Sequence, residues 1–308
     1  MHLARRFRNR IDVDGILLLD KPPSMTSNQA LQAAKLVLQA RKAGHTGSLD
    51  PIATGLLPLC FGEATKVSQF LLNADKRYRT VFKLGETTET FDSEGEVVER
   101  RAVTVGRRAI ERAVQEFEGD IQQLPPMYSA VKRGGKSLYK LARQGIEVER
   151  EPRRVSIHEI RCLNLFADRV ELEIHCSKGT YIRALAHDLG QALGCGAHVE
   201  SLRRLAVGEL SVDSAVGLEQ LQAAGSQAAR EALLLPVDGA LSGLPDVHLT
   251  PLAAHYLCRG QPVSVRHSHQ PGWVRLYADG SRFLGMGQVL EDGRVAPRRL
   301  MLGRTRSA

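Results

Sequence analysis

A stretch in which apolar and polar side chains alternate strictly is the feature that most constrains the fold. At residues 170–176, Val, Leu, Ile and Cys alternate with Glu171, Glu173 and His175. Because successive side chains of a strand point to opposite faces of a sheet, this period of two predicts a half-buried strand. A helix is predicted next, with Thr180 as its cap. The apolar residues of that helix recur at helical spacing, at Ile182, Leu185, Ala186, Leu189 and Leu193.

Patterns before this strand predict the order of the first elements. The apolar run at 16–19 ends at a Lys-Pro-Pro segment and predicts a strand that enters a loop. Ser27 is the predicted cap of a helix over 28–42. Glycine and proline interrupt any regular period at 44–62, which predicts a shaped loop. The acidic, polar stretch at 87–99 predicts a hairpin or an excursion from the fold.

The character of the chain changes after about residue 245. At roughly 150 residues per domain, 308 residues suggest about two domains. A short helix is predicted between Thr250-Pro251 and Gly260. Short strands follow, and two of them are joined near Asp279-Gly280, a typical hairpin turn. The predicted strands are at 263–266, 273–277 and 283–289. These features predict a small β-rich domain over 246–308.

The balance of charge favours an anionic partner. The 42 Lys and Arg residues against 34 Asp and Glu residues give a net charge of +8, and nucleic acid is the commonest partner of such a chain. Residues 1–10 carry Arg5, Arg6, Arg8 and Arg10 and predict a basic arm. Aromatic residues are only 5% of the chain, which argues against a broad platform for stacking bases. Recognition by shape, phosphate contacts and one extruded nucleotide fits this composition better.

Several kinds of site have no motif in the sequence. The five cysteines form no C-x-x-C pair, so neither a disulfide scaffold nor a zinc ribbon is predicted, and a reducing cytoplasm is expected. The Gly-Gly-Lys-Ser segment at 134–137 is similar to the end of a phosphate loop, but Ala130 stands where that motif needs glycine. No metalloprotease or serine-hydrolase motif occurs, and no apolar run approaches the roughly 18 residues that span a bilayer. We therefore expect no metal, no cofactor and no membrane partner.

The loop at 44–51 contains the best candidate for a reactive group. Pro51 favours an extended backbone at Asp50, and the nearby glycines allow sharp turns and a close approach of the backbone. A lone carboxylate presented in this way can attack an electron-poor carbon, provided that a cation keeps it ionised. The alternative is a turn-forming Asp-Pro without chemistry, and composition alone favours that alternative.

Arg183 and Tyr78 are candidates for the groups around such a carboxylate. Arg183 lies in the first turn of the helix after the alternating strand, where it could pair bidentately with a carboxylate and hold its pKa down. Tyr78 follows three charged residues and could stack on a base. Each also has a simpler interpretation, since Arg183 could lie on the helix surface and Tyr78 at the edge of the core.

These segments and others resemble one family, in the same order along nearly the whole chain. The motifs are GILLLDKP at 15–22, AGHTGSLDP at 43–51, ATGLLP at 53–58, KRY at 76–78, PMYSAVK at 126–132, KGTYIR at 178–183, GCGAH at 194–198, LRR at 202–204, GMG at 285–287 and PRR at 297–299. Together they resemble the bacterial tRNA pseudouridine-55 synthases of the TruB type. The departures are small: Ser48 stands where relatives often carry Thr or Ala, and His187 where an acidic residue is common.

The resemblance implies a reaction and three catalytic residues. The reaction isomerises uridine to pseudouridine at position 55 in the T-loop of tRNA, after the base has been flipped out, and uses no metal or cofactor. Asp50 is then the nucleophile, whether it attacks the sugar or the base. Tyr78 packs against the flipped base and is a candidate for moving the proton bound to carbon. Arg183 pairs with Asp50.

The resemblance also implies residues that bind the substrate. His45 helps to open the RNA loop and fills the space that the extruded base leaves. Tyr181 and Leu202 line the substrate pocket. Lys21, in the Asp-Lys-Pro segment, is expected to contact a phosphate or to support the pocket from behind.

The fold that the resemblance implies is α+β, a mixed and mainly antiparallel sheet with flanking helices and a central RNA-binding cleft. The expected divisions are the arm at 1–10, a catalytic domain at 11–245 with a mobile RNA-clamping segment at 126–152, and a PUA-like RNA-binding domain at 246–308. A monomer without an obligate protein partner is expected, with the T-stem-loop of tRNA as its ligand and the cytoplasm as its location.

Two other functions stay compatible with the sequence. One is a non-catalytic protein that binds or folds RNA through the same basic cleft. The other is a metal-dependent nuclease or a base-removing enzyme. Hydrolysis of a glycosidic bond normally uses two carboxylates that flank the bond, and the sequence offers one such Asp, which favours an isomerase that keeps the base.

Overall fold

The computed structural model describes residues 10–129, 131–265 and 270–301. The first elements are β1 (Gly15–Lys21), α1 (Ser27–Val37), β2 (Ala43–His45), β3 (Thr54–Phe61), α2 (Ser68–Asn73), β4 (Lys76–Leu84), β5 (Glu86–Thr88), β6 (Val97–Arg100), α3 (Arg107–Gln115) and β7 (Gly119–Gln123). The next are β8 (Lys132–Arg133), β9 (Lys136–Ser137), α4 (Leu138–Ala142), β10 (Arg153–Phe166), β11 (Arg169–Cys176), α5 (Ile182–Ala192), β12 (Ala197–Val207), β13 (Leu210–Ser211), α6 (Leu218–Ala223) and α7 (Gln227–Glu231). The last are β14 (Asp246–His248), α8 (Pro251–Cys258), β15 (Gly272–Ala278), β16 (Arg282–Val289) and β17 (Val295–Leu300).

A large mixed sheet organises most of the chain. Its strand order is β1-β3-β12-β4-β11-β10-β7, with β2 paired to β3 and β13 to β12. The pair β3–β12 is parallel, and the other pairs are antiparallel. At the parallel pair, a Cβ on Gly55 would lie 2.3 Å from the carbonyl oxygen of Arg204, so glycine is needed for the two strands to approach. The predicted α+β class and the mainly antiparallel sheet are confirmed.

The centre of this sheet is the pair β4–β11. The predicted alternating strand is confirmed as β11, and it pairs with β4 so that Tyr78 lies opposite Ile174. The apolar face of the pair lies in the main hydrophobic core, to which α1 and α5 contribute Leu31 and Leu185. The other face carries most of the charged side chains of both strands, whereas Lys76 is buried with its ammonium bonded to backbone carbonyls. One face of this pair is therefore buried and the other is turned towards solvent, as the period of two predicts.

Helix α1 differs from its prediction at both ends. Thr26 caps it rather than Ser27, because the Thr26 hydroxyl accepts a hydrogen bond from the backbone of Gln29 and the Gln29 side chain bonds back to the backbone of Thr26. The helix stops well short of residue 42. The backbone turns at Gln39, whose φ is +52°, and β2 then pairs with β3.

The predicted loop at 44–62 is wrong, because it contains part of β2 and the whole of β3. β3 is buried along nearly its whole length, so packing between β1 and β12 outweighs the glycine and proline that interrupt its pattern. The cap predicted for α5 is wrong as well. The Thr180 hydroxyl donates to the carbonyl of Ser177, and Tyr181 is the residue that precedes the helix. The stretch at 87–99 contains the predicted hairpin, formed by β5 and β6.

Residues 246–300 form a four-stranded sheet in the order β14-β15-β16-β17, with its own apolar cluster. The predicted helix is confirmed as α8, whose first turn is capped by the Thr250 hydroxyl. The predicted hairpin is confirmed, with Asp279-Gly280 at positive φ between β15 and β16. In place of the strand predicted at 263–266, Val263 makes an isolated bridge to β17, and the last residue of that stretch lies outside the described residues.

A small apolar cluster joins the C-terminal sheet to the start of α2 and to Leu241. Val67 and Met286 are buried there, and Phe70 packs against them. No helix in the described part of the chain is long and apolar enough to cross a membrane. The predicted basic arm, apart from its last residue, lies outside the described ranges, as does the tail after residue 301.

Candidate active site

The backbone between β2 and β3 presents Asp50 to a cavity. The Ser27 hydroxyl, at the start of α1, accepts a hydrogen bond from the amide of Leu49 at 2.7 Å. On the other side, the amide of Ala53 donates to the carbonyl of Asp50 at 3.1 Å, which closes a turn around Pro51. These bonds hold the backbone before and after Asp50, so the direction of its side chain is set by the loop.

Arg183 of α5 binds the Asp50 carboxylate through two hydrogen bonds. Its Nε lies 2.8 Å from Oδ2 and its Nη2 lies 3.0 Å from Oδ1. The remaining donors of Arg183 bond to the carbonyls of Thr90 at 2.9 Å and Tyr128 at 2.7 Å. Arg183 is only 4% exposed. The predicted bidentate pair is therefore present, and the interpretation of Arg183 as a surface residue is wrong.

The pKa of Asp50 departs from its predicted direction. Burial raises the pKa of this carboxyl above its ordinary value, the charge of Asp92 raises it further, and Arg183 and Lys21 oppose the rise. The sequence led us to expect Arg183 to hold the pKa down. Arg183 does act in that direction, but the loss of water around the carboxylate is the larger effect. Asp50 is consequently a carboxylate whose ionised form the protein disfavours.

Asp92 is a second carboxylate at this site that the sequence analysis missed. It is 2% exposed, and its Oδ2 lies 3.4 Å from the Nε of Arg183. The amide of Glu94 donates to its Oδ1 at 3.1 Å. The sequence did not single out Asp92, because it stands among exposed acidic residues in the stretch 87–99. The spacing of these residues does not distinguish the one that is buried. Arg183 thus lies between two carboxylates.

Tyr78 lies on β4 with its side chain in the same cavity. It is 9% exposed, burial raises the pKa of its hydroxyl, and the nearby charge of Arg204 opposes that rise. Arg204 is a second residue that the sequence analysis did not single out. It is fully buried, and it donates to the carbonyls of Leu56 at 2.7 Å and Gly47 at 3.3 Å. Arg204 therefore ties the Asp50 loop to the strand beside Tyr78.

The cavity has a volume of about 840 Å³ and lies between the Asp50 loop, β4 and the start of α5. It brings together six of the seven predicted site residues, which are His45, Asp50, Tyr78, Tyr181, Arg183 and Leu202. The unpredicted residues Leu72 and Tyr139 also line it. Elements that are far apart in sequence thus converge on one space large enough for a nucleotide.

His45 stands at the end of β2 and borders this cavity. Its Nδ1 atom is buried and has no hydrogen-bond partner among the described residues. Burial lowers the pKa of His45, and the charge of Arg204 lowers it further. The imidazole is therefore neutral near pH 7, and it can pack against an uncharged surface such as a base.

Lys21 is not placed where a phosphate contact requires it. The residue is fully buried and does not line the cavity. Its ammonium donates to the carbonyls of Pro22 at 2.8 Å and Met25 at 2.6 Å, and burial lowers its pKa to about 8. The expectation of a direct phosphate contact is therefore wrong. The alternative, support from behind the pocket, agrees with a bond from its ammonium to the carbonyl of Pro51 at 3.3 Å.

Described residues of the segment at 126–152 border the cavity. Tyr128 supplies a carbonyl to Arg183, and Tyr139 lines the cavity. The Arg150 guanidinium donates to the carbonyl of Pro125 at 3.2 Å, which joins the two ends of the segment. Within the described ranges, no group of three or more His, Cys, Asp or Glu side chains is arranged to hold a metal ion.

The fold is shared with chains in solved structures of a protein complex and a ribonucleoprotein. A crystal structure of a Cbf5-Nop10-Gar1 complex contains a chain that is 26% identical, with a TM-score of 0.70, over 94% of this chain and 84% of the other. A structure of an H/ACA RNP bound to a substrate RNA that contains 2′-deoxyuridine matches with a TM-score of 0.73 at 23% identity, over 97% of this chain and 92% of the other. The second likeness concerns the fold alone.

Family models match most of the chain. The TruB family pseudouridylate synthase N-terminal model covers residues 35–182, the tRNA pseudouridylate synthase B C-terminal model covers 183–242, and the pseudouridine synthase II TruB C-terminal model covers 245–301. The tRNA pseudouridine synthase B of Stutzerimonas stutzeri is 54% identical over 97% of this chain and 99% of its own length. The protein of the same name from Serratia proteamaculans is 48% identical, also over 97% of this chain and 99% of its own length. The chain belongs to the TruB family of pseudouridylate synthases.

Proposed function

We propose that this chain isomerises uridine to pseudouridine at position 55 in the T-loop of tRNA. The observation that carries the proposal is the Asp50 carboxylate, held by Arg183 at the wall of a cavity that also contains Tyr78. The membership of the TruB family and the names of the relatives, which describe action on tRNA, support the substrate. The net charge of +8 supports a polyanionic ligand.

The reaction needs a nucleophile and a route for one proton. The bond between N1 of the base and C1′ of the ribose breaks, a bond between C5 and C1′ forms, the proton on C5 leaves, and N1 gains a proton. Substrate and product have the same composition, so the reaction consumes no co-reactant. Asp50 supplies the nucleophile, either at the sugar or at the base, and Arg183 orients it.

Tyr78 is the proposed group for the proton on carbon. Its hydroxyl is protonated at neutral pH, and burial raises its pKa further, so it accepts the proton from C5 only as it gives up its own proton, and N1 gains the proton that is released. The adjacent Arg204 charge favours the transient loss of that proton. Tyr78 also offers a flat face against which a flipped base packs.

The base must leave its loop before Asp50 can reach it, which costs roughly a few kcal/mol. We propose that His45 fills the space that the base leaves, and that Tyr181 and Leu202 hold the extruded nucleotide. Their common position around the Asp50 cavity supports this division of roles. The absence of a polar partner for the buried Nδ1 of His45 among the described residues agrees with a role in packing.

Other parts of the chain are proposed to bind the rest of the tRNA. The segment at 126–152 closes over the RNA, and residues 246–308 form a PUA-like RNA-binding domain beside a catalytic domain at 11–245. The strands between residues 246 and 300 form a separate sheet with its own apolar cluster, which supports the division into two domains. The arm at 1–10 adds positive charge. We propose a monomer that acts in the cytoplasm without an obligate protein partner.

The deciding experiment compares Asp50→Asn with Asp20→Asn on unmodified tRNA transcript. Asp20 forms a bidentate pair with Arg203, at 3.0 and 2.7 Å, and does not line the cavity, which makes it a matched control. We expect Asp50→Asn to bind tRNA and to form no pseudouridine, whereas Asp20→Asn keeps the wild-type rate within about twofold.

Several outcomes would contradict the proposal. Full turnover by Asp50→Asn removes Asp50 from its role. Normal RNA binding by the wild-type protein without isomerisation of any uridine favours a non-catalytic RNA-binding protein. Strand cleavage or free uracil indicates a nuclease or a base-removing enzyme.

A further inference from the structure

Helix α5 contacts the turn at 90–92 at two successive levels. At the first level, Arg183 donates from Nη1 to the carbonyl of Thr90 at 2.9 Å and lies 3.4 Å from Asp92. His187 follows Arg183 by four residues and therefore lies on the same side of the helix, one turn further along. At this second level the imidazole of His187 stacks on the ring of Phe91, with centroids 4.1 Å apart and planes inclined by 20°.

Phe91 holds the turn in a conformation that few residues adopt. Its φ is +62°, in the left-handed region that is uncommon for residues other than glycine. This conformation directs the Thr90 carbonyl on one side of Phe91, and the Asp92 carboxylate on the other, towards the same guanidinium. Such a backbone persists only where its surroundings hold it.

The surroundings of Phe91 are of two kinds. Its backbone is tied to its neighbours, because its amide donates to the carbonyl of Thr88 at 3.2 Å and its carbonyl accepts from the amide of Val199 at 3.0 Å. Its side chain rests on His187. The contact is between the faces of the two rings. The Nδ1 atom of His187 is buried and has no hydrogen-bond partner among the described residues. Neither Phe91 nor His187 lines the Asp50 cavity.

We propose that His187 is a positioning residue for the isomerisation, since its ring holds Phe91 so that Thr90 and Asp92 keep Arg183 aligned with Asp50. The inference rests on the proposed function, because alignment of Asp50 matters only if Asp50 reacts. His187 needs no charge for this role. Burial lowers the pKa of His187, although the charge of Asp188 opposes this shift. The ring is therefore neutral near pH 7.

Three variants separate this role from a general loss of stability. His187→Ala removes the ring, and His187→Phe keeps a flat ring while it removes the nitrogen atoms. Leu193→Ala is the matched control, because Leu193 follows α5 and packs on the main core, which does not include Phe91. Each variant is characterised by its melting temperature, by kcat and KM on unmodified tRNA, and by hydrogen exchange of the amides at 88–93.

We expect kcat of His187→Ala to fall about 10- to 100-fold with KM changed less than about twofold, because a small misplacement of a reacting group costs this much. Exchange at 88–93 should rise at least about tenfold in the same variant. His187→Phe should restore both properties to near the wild-type values. Leu193→Ala should lower the melting temperature and leave kcat and the exchange at 88–93 unchanged.

Three results would overturn the inference. One is unchanged exchange at 88–93 in His187→Ala, whatever the activity. The second is faster exchange with an unchanged kcat, and the third is a His187→Phe variant as impaired as His187→Ala. A wild-type protein that forms no pseudouridine contradicts the proposed function instead, and the exchange measurement still decides whether His187 holds the turn.

Discussion

Strand β4 has an inner face towards the cavity and an outer face towards solvent, and guanidinium–carboxylate pairs occur on both sides. On the inner side, Arg183 holds Asp50 at 2.8 Å, and the Arg183 side chain is 5% exposed. On the outer side, Arg79 holds Glu171 at 2.6 Å, and the Arg79 side chain is 53% exposed. The two pairs are alike in chemistry and distance. They differ in position, because the Asp50 side chain is 37% exposed but faces a cavity within the protein, whereas the Glu171 side chain is 13% exposed and its arginine extends into solvent.

This difference moves the pKa values of the two carboxylates in opposite directions. Burial raises the pKa of Asp50 in spite of its bonds to Arg183. The hydrogen bond from Arg79, with a second from Asn164, lowers the pKa of Glu171. The amount of protein around each carboxylate therefore decides which effect is larger, since Asp50 faces the cavity whereas Glu171 lies on the outer face of the sheet. The inner pair holds a carboxylate that is costly to ionise, which favours its reaction with an electron-poor carbon.

Removal of each guanidinium in turn is the most direct test of the difference between the two pairs. For Arg183→Met we expect pseudouridine formation to slow about 100- to 1000-fold, because donors fixed around a charge in a site that excludes water make large contributions. For Arg79→Met, which removes the exposed pair, we expect a rate within about twofold of the wild-type rate. Single-turnover assays on tRNA transcript measure both. Equal losses in the two variants would show that position at the cavity is not what distinguishes the pairs.

A substitution of Asp92 tests how nearby charges set the pKa of Asp50. Only the ionised form of Asp50 is nucleophilic, so kcat should fall as the pH drops through a pKa that lies above 3.8. The charge of Asp92 raises that pKa, so Asp92→Asn should move the acid limb of the kcat profile to lower pH. Looser contact with Arg183 should also reduce the plateau rate, by about tenfold.

Glu171→Gln is the matched control for Asp92→Asn, because it removes a carboxylate that binds an arginine on the outer face. Its acid limb should coincide with that of the wild-type protein. A limb that moves to higher pH in Asp92→Asn is the result that contradicts the assigned direction.

The smallest expected effect concerns stability. A carboxyl whose pKa is raised in the folded protein contributes stability below its unfolded pKa, and this stability is lost as the pH rises through the folded pKa. At pH 7 the ionised Asp50 therefore costs stability, and Asp50→Asn should unfold with an equal or greater free energy. The gain should be no more than about 1 kcal/mol, because solvent in the cavity screens this side chain, which is 37% exposed.

Denaturant titrations of the Asp50→Asn and wild-type proteins at pH 7 and at pH 4 measure this effect. The difference between the two proteins should shrink at the lower pH, where the wild-type carboxyl approaches its neutral form. A variant that is clearly less stable than the wild-type protein at pH 7 would mean that the bonds to Arg183 outweigh the burial of Asp50.

Local patterns in the sequence predicted the elements whose signals do not depend on neighbours. The alternation at 170–176 became β11, and the cap and hairpin signals near Thr250 and Asp279-Gly280 became α8 and the β15–β16 turn. The pattern failed for β3, which contains glycine and proline within a buried strand. There the packing of β1 and β12 on both sides decides the structure, and no local signal reports it.

The candidate site divides in the same way. The loop chemistry around Asp50 and the family motifs led to six residues of the cavity. Asp92, Arg204 and the contact between His187 and Phe91 were missed. Of the two roles expected for Lys21, the phosphate contact is wrong, and support from behind the pocket agrees with its position behind the loop. Each miss concerns a charged or aromatic side chain whose burial follows from how separate segments pack.

The sequence by itself predicted the elements with strong local signals and the family, and it singled out Asp50 as the candidate for the reactive carboxylate. The tertiary structure alone decided which charged groups lose water and which partners they then keep. Asp50 and Arg183 are 133 residues apart. The packing of their segments buries the Asp50 carboxyl, which raises its pKa, and brings it to the donors of Arg183, which oppose that rise. Burial is a property of contacts between distant segments, and because the cost of ionisation depends on burial, it cannot be read from either segment alone.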